Sequence, residues 1–142
     1  MSSGPGVLQE LHESVGTLLR SKSPGESLSA RDIVDLMNLI GKCIVAGNIR
    51  RSAQIALGKV NDDGFLALKD YERNPERIPY GWASNNSVLA EIGMDYSEVA
   101  EGILRNGEPG LAWLENMRAY SRMGREPDYR DKLAAGGNPC LE

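Results

Sequence analysis

Three side chains near residue 140 have the types and spacing for chemistry on a polyol. Asn138, Cys140 and Glu142 alternate with Pro139 and Leu141. In extended backbone, residues two apart share a face, so an amide, a thiol and a carboxylate stand side by side. The carboxylate can take a hydroxyl proton, the amide can fix a neighbouring hydroxyl, and the sulfur can attack or abstract. Pro139 has no N–H to give a ladder, which sets the stretch apart from an ordinary central strand. The competing reading is a frayed chain end.

A second group is the run Gly47, Asn48, Ile49, Arg50, Arg51, Ser52, Ala53 and Gln54. Two adjacent guanidiniums on a glycine-started loop offer planar, bidentate donors to phosphate or nucleotide. Equally, a solvated arginine pair is stabilised at a helix C-terminus by the dipole alone. A third group, Gly81-Trp82-Ala83-Ser84-Asn85-Asn86-Ser87-Val88, reads either as the lining of a polar pocket or as a turn built on Asn and Ser. Cys43 falls within an apolar helix and reads as a small core residue. With one histidine, His12, and two distant cysteines, neither a histidine-based triad nor a metal site is expected, and His12 reads as helix surface.

The elements that must position these groups follow from periodicity. Val7, Leu8, Leu11, Val15, Leu18 and Leu19 mark one face of a helix, and Pro24-Gly25 a turn. Ser29-Ala30-Arg31-Asp32 has the form of a capping box, with Asp in place of Glu. The helix after it, Ile33 to Val45, is apolar on most faces and should be buried on more than one side, ending near Gly47-Asn48. Ile55-Ala56-Leu57 is a short strand candidate, and Phe65 to Glu72 reads as helical. Tyr80 to Glu91 reads as strand and loop, Tyr96 to Arg105 as helix, and Leu111-Ala112-Trp113-Leu114 as a buried strand. Residues 118–135 read as helix or loop. Helices alternating with short apolar strands define an α/β chain with a mostly parallel sheet.

The chain has 142 residues, enough for one domain, with 16 glycines and 7 prolines pointing to many loops. A net charge of −4 argues against non-specific nucleic-acid binding. No apolar run is long enough to span a membrane, and the first residues lack a signal peptide. Reduced thiols in the cytoplasm are the expectation.

Four motifs occur in one order: Gly47 to Ala53, Gly81 to Val88, Asn106-Gly107-Glu108-Pro109-Gly110, and Gly137-Asn138-Pro139-Cys140-Leu141-Glu142. Together they resemble the catalytic chain of the adenosylcobalamin-dependent (class II) ribonucleotide reductases, of the kind that reduces ribonucleoside triphosphates. The resemblance runs through nearly the whole chain and implies an internal slice of something several times longer. It implies part of a ten-stranded α/β barrel with a finger loop. Residues 1–46 would be helices beside the effector site, 47–54 the specificity loop, 55–135 barrel strands and helices, and 136–142 the start of the finger loop.

The same resemblance implies the roles. Cys140 would become a thiyl radical and take the 3′ hydrogen of the ribose, Asn138 would bind the ribose hydroxyls, and Glu142 would accept the 3′-hydroxyl proton. The loop from Gly47 to Gln54 would lie between effector and substrate base, its arginines helping to choose the base. The implied cofactor is adenosylcobalamin, held by residues outside this slice. The implied partners are a ribonucleoside triphosphate, a deoxynucleotide effector, a dithiol reductant such as thioredoxin, and the rest of the catalytic chain. Cys43 matches none of the family's reducing cysteines. A second reading is a non-catalytic nucleotide-binding or assembly piece of a split reductase, inactive alone.

Overall fold

A computed structural model of the chain describes residues 4–120 and 126–139. Its first layer is a helix pair, α1 (Gly6–Arg20) and α2 (Ala30–Val45). Val7, Leu11, Val15 and Leu18 of α1 are half-buried, and His12 is exposed as expected. The capping box is present. Ser29 Oγ accepts the Asp32 N–H at 3.1 Å, and Asp32 Oδ2 accepts the Ser29 N–H at 2.8 Å. These bonds satisfy amides that a helix start otherwise leaves unpaired.

The cap is charged as well as bonded. Lys22 Nζ lies 2.7 Å from Asp32 Oδ2. This ammonium, and then the Ser29 hydroxyl, hold the Asp32 carboxyl down at about 2. A carboxyl depressed in the folded state stabilises above its ordinary value near 3.8, and that contribution is lost as pH falls through about 2. The Asp32 ¹³C carboxyl resonance should therefore titrate near 2, and in Lys22→Ala its midpoint should rise toward the ordinary value. A midpoint unmoved by Lys22→Ala would remove the ammonium as the cause.

α2 differs from expectation in what it buries. Its buried stripe is Val34, Asp35, Asn38 and Gly41, so two of four positions are polar. Ile33, Met37, Ile40 and Ile44 are exposed by 37–52%. The helix is covered on two sides, by the sheet and the segment around residue 77 on one and by α1 on another, where Leu39 and Cys43 are half-buried, and its remaining face is exposed.

The second layer is a parallel three-stranded sheet, ordered β1 (Ile55–Gly58), β2 (Asn85–Leu89), β3 (Gly110–Ala112). Ile55 pairs with Asn85, and Ser87 with Gly110. Between β1 and β2 lie a short helix, α3 (Asp63–Leu66), and 3-10 turns at Ala67–Lys69, Pro75–Arg77 and Gly81–Ala83. α4 (Ser97–Asn106) joins β2 to β3, and α5 (Leu114–Ala119) follows. The α/β class with parallel strands is as read from the sequence. The core is Val34, Phe65, Leu68, Val88 and Val99, one or more from each layer. Gly58 admits the Phe65 ring so closely that a Cβ there would come within 2.4 Å of it.

Three element boundaries moved. The helix expected from Phe65 to Glu72 stops at Leu66 and tightens into a 3-10 turn. Asn74 Nδ2 takes the Ala67 and Asp70 carbonyls, at 2.8 and 3.2 Å, and Arg77 Nη1 takes that of Leu68. The Ala67 and Leu68 carbonyls are the ones a helix continuing to Glu72 would need. The expected buried strand 111–114 is β3 alone, with Leu111 exposed and Ala112 buried, and Trp113 and Leu114 open α5. Side chains alternate across a strand, and only one face is covered among the described residues. After α5, the Ala119 carbonyl accepts the Asp128 and Tyr129 amides at 2.9 and 3.1 Å, folding the chain back rather than extending the helix.

Candidate functional site

The run 47–54 is the connection from α2 to β1, and its two ends are built differently. At its entry Gly47 and Asn48 have φ of 94° and 58°, left-handed backbone that glycine adopts freely and asparagine tolerates. Asn48, Ile49, Arg50 and Arg51 are exposed. Among the described residues neither guanidinium has a hydrogen-bond or ion-pair partner. At its exit Gln54 is fixed three ways. Its Nε2 donates to the Met37 carbonyl at 2.8 Å, its Oε1 accepts from Asn38 Nδ2 at 3.2 Å, and its carbonyl accepts the Asn85 N–H at 3.0 Å.

Between α2 and β1, an edge strand of the sheet, lies a cavity of about 440 Å³. Ile33, Val34 and Met37 form its α2 wall, and Ile55 and Leu57 of β1 with Phe65 of α3 the wall opposite. Ala53, Gln54 and Ser84 lie at one side and Pro139 at another. The cavity thus brings the end of the 47–54 run to the segment that leads into residues 138–142. That segment lies close on the sheet: a Cβ at Gly136 would come within 2.4 Å of Leu57 Cδ1. Arg118 Nε steadies it from α5 by donating to the Ala134 carbonyl at 2.9 Å. Asn138 is exposed and lines a neighbouring recess with Met117, Tyr120 and Arg130. Cys140 and Glu142 lie outside the described residues.

The run from Gly81 to Val88 does not line a polar pocket as a unit. Trp82 is exposed and donates its ring N–H to the Pro79 carbonyl at 3.1 Å, while Asn85 is exposed at the start of β2. Ser84, Asn86 and Ser87 are buried. Ser84 Oγ donates to Asn86 Oδ1 at 2.9 Å, and the Asn86 N–H donates to Glu108 Oε2 at 3.0 Å. Lys69 Nζ donates to the Ser84 carbonyl at 2.6 Å and lies 3.5 Å from Glu108, with burial pulling its pKa down. The group is a polar knot that registers β2 against β3, and only Ser84 reaches the cavity. Cys43 is also not the core residue expected. It is a half-buried free thiol facing α1, beside Leu11 and Ser14, on the side of α2 away from the sheet.

A buried arginine, unrecognised in the sequence, organises this region. Arg77 has no solvent exposure. Its Nε donates to Asp35 Oδ1 at 2.7 Å, Nη1 to the Leu68 carbonyl, and Nη2 to Asn38 Oδ1 at 3.3 Å. The guanidinium also lies 5.7 Å from the centroid of the Tyr80 ring, within cation–π range. A signal existed: Asp35 and Asn38 stand three apart inside an apolar helix, so one stripe of it had to bury polar groups.

With these positions defined, comparison with known proteins gives the class. The fold matches a crystal structure of a B12-dependent (class II) ribonucleotide reductase with a TM-score of 0.82 and 37% identity, over 99% of this chain and 19% of that one. In sequence the chain is 58% identical over 141 residues to the adenosylcobalamin-dependent ribonucleoside-triphosphate reductase of Euglena gracilis. It is 59% identical over 136 residues to a probable enzyme of the same name from Dictyostelium discoideum, and 40% identical over 144 residues to that of Lactobacillus leichmannii. The chain covers 19%, 18% and 19% of these relatives' lengths, and they cover 99%, 95% and 99% of it. No family model matches. In sequence and in fold the chain therefore corresponds to a segment of the adenosylcobalamin-dependent ribonucleoside-triphosphate reductases.

Proposed function

We propose that this chain is the part of a ribonucleoside-triphosphate reductase that carries the base-selecting loop, residues 47–54, and the start of the radical-bearing finger loop, residues 136–142. The observation that carries the reading is the shared cavity, where Ala53 and Gln54 meet Pro139 beside α2. A loop that chooses the base must lie within reach of the segment that holds the ribose. The three parallel strands are then part of a ten-stranded barrel completed by the rest of the catalytic chain. Residues 1–46 contribute the helices beside a deoxynucleotide effector.

In this reading Asn138 holds the ribose hydroxyls. Cys140, as a sulfur radical, takes the 3′ hydrogen, forming S–H and leaving a carbon radical. Glu142 then takes the 3′-hydroxyl proton while the 2′-hydroxyl, protonated by a reducing thiol elsewhere in the enzyme, leaves as water, and after reduction the Cys140 S–H returns its hydrogen atom to C3′. A dithiol such as thioredoxin, acting through cysteines elsewhere, supplies the two reducing electrons. The reaction belongs in the cytoplasm, where thiols stay reduced.

Adenosylcobalamin supplies radical chemistry to enzymes that hold it, and the described residues do not fit it. The cavity is largely apolar, and its polar side chains Asn38, Gln54 and Ser84 are already bonded within the fold.

The test is a chimera: the Euglena gracilis reductase with its matching stretch replaced by this chain. Arg50→Ala in that chimera should change the relative rates on the four ribonucleoside triphosphates and their response to deoxynucleotides, while reduction itself continues. Equal loss on every substrate, with preferences unchanged, would remove the loop from base selection.

A further inference from the structure

The 47–54 loop is anchored at its exit by Gln54, and Gln54 is oriented from deep inside the protein. We propose that Asn38 is a positioning residue for base selection. Held by Arg77, its side-chain amide fixes how Gln54 stands and so where the arginine-bearing loop is carried. The inference rests on the reading of that loop given above.

The argument is one of donors and acceptors. A guanidinium can only donate and a backbone carbonyl can only accept. Arg77 Nη2 faces Asn38 at 3.3 Å, so the Asn38 oxygen must turn to it and the Asn38 nitrogen must turn to Gln54, at 3.2 Å. Gln54 then meets Asn38 with its oxygen and the Met37 carbonyl with its nitrogen, at 2.8 Å. Each amide has one permitted orientation, set from the arginine outward. Arg77 is itself fixed by Asp35 and the Leu68 carbonyl. Asn38 is fully buried, so no water can replace a lost bond at no cost. Space is kept for the arrangement as well. A Cβ at Gly41 would come within 2.8 Å of Gln54 Nε2.

The relay ends on the last residue of the loop, a few residues from Arg50 and Arg51. The segment leading to Asn138 is tied elsewhere, to Arg118 and Leu57. Loosening the relay should therefore move the loop without moving the reacting groups.

The experiment uses the chimera and two variants. Asn38→Asp keeps the shape and still accepts from Arg77, but has no N–H for Gln54. Gln54→Met keeps the length and loses both side-chain bonds. Each should shift the kcat/KM ratio between purine and pyrimidine triphosphates by roughly threefold to tenfold, the size that one hydrogen bond supplies. The shifts should run the same way, and the double variant should add nothing further, as expected for groups in one network. Val99→Ala, in the core on α4, should lower stability and leave the ratio unchanged. Unchanged ratios in both relay variants overturn the inference, and so does an equal shift in Val99→Ala. A parent chimera that reduces none of the four triphosphates overturns the underlying reading of the loop as well.

Discussion

Cys140→Ser in the chimera should abolish reduction of all four ribonucleoside triphosphates. A serine O–H bond is far stronger than a thiol S–H, so an oxygen at this position would not cycle between its radical and its hydrogen-bearing form during turnover. The two neighbouring substitutions should fail differently. Glu142→Gln retains hydrogen abstraction but lacks the base for the 3′-hydroxyl. It should still exchange the ribose 3′ hydrogen with solvent while forming no deoxynucleotide. Asn138→Ala removes one positioning bond, worth about 1–3 kcal/mol, and should slow every substrate without stopping any. Product formation and 3′ exchange, followed together for the three variants, separate these roles. Near-normal deoxynucleotide formation by Cys140→Ser would overturn the assignment of the sulfur.

The largest effect on stability should come from Arg77→Met. The guanidinium is wholly buried against Asp35, whose side chain is 10% exposed. Removing one partner of a buried pair costs about 3–5 kcal/mol when the other charge is left alone, and Arg31 Nε, 3.6 Å from Asp35 Oδ2, keeps the loss at the lower end of that range. Amide exchange across α2 and residues 67–78 should accelerate by roughly two orders of magnitude, since about 1.4 kcal/mol is tenfold. Replacing both partners, Arg77→Met with Asp35→Leu, should recover much of the protection. Protection unchanged in the single variant would show that the pair does not hold this region together.

These two predictions fall on residues of very different legibility. The Ser29–Asp32 cap was visible from residue type and spacing, because it depends on neighbours in sequence; the reading of Asn138, Cys140 and Glu142 rests on the same kind of neighbours and on the test above. The parallel α/β order was legible too, since helical and strand periods alternate along the chain. Arg77 was not. Its partners Asp35 and Asn38 are 42 and 39 residues away, and nothing local distinguishes it from a solvated arginine. The same cause shortened the helix after Phe65: side chains of Asn74 and Arg77 capture carbonyls that local propensity assigns to the helix. Cys43 was misplaced because hydrophobic content shows that a helix is buried, not which of its faces is.

One loop end is a pair of left-handed residues, Gly47 and Asn48, and the other is locked at Gln54. Loop motions in proteins generally take nanoseconds to about a microsecond. Enzymes commonly turn over on the order of ten times per second. The loop would then sample its arrangements at least about 10⁵ times for each ribose reduced. Selection among bases would thus be settled by the relative populations of those arrangements and not by how quickly any one of them is reached. On the proposed reading, an effector bound beside α1 and α2 would act by tilting that equilibrium, well before a radical is committed to the sugar.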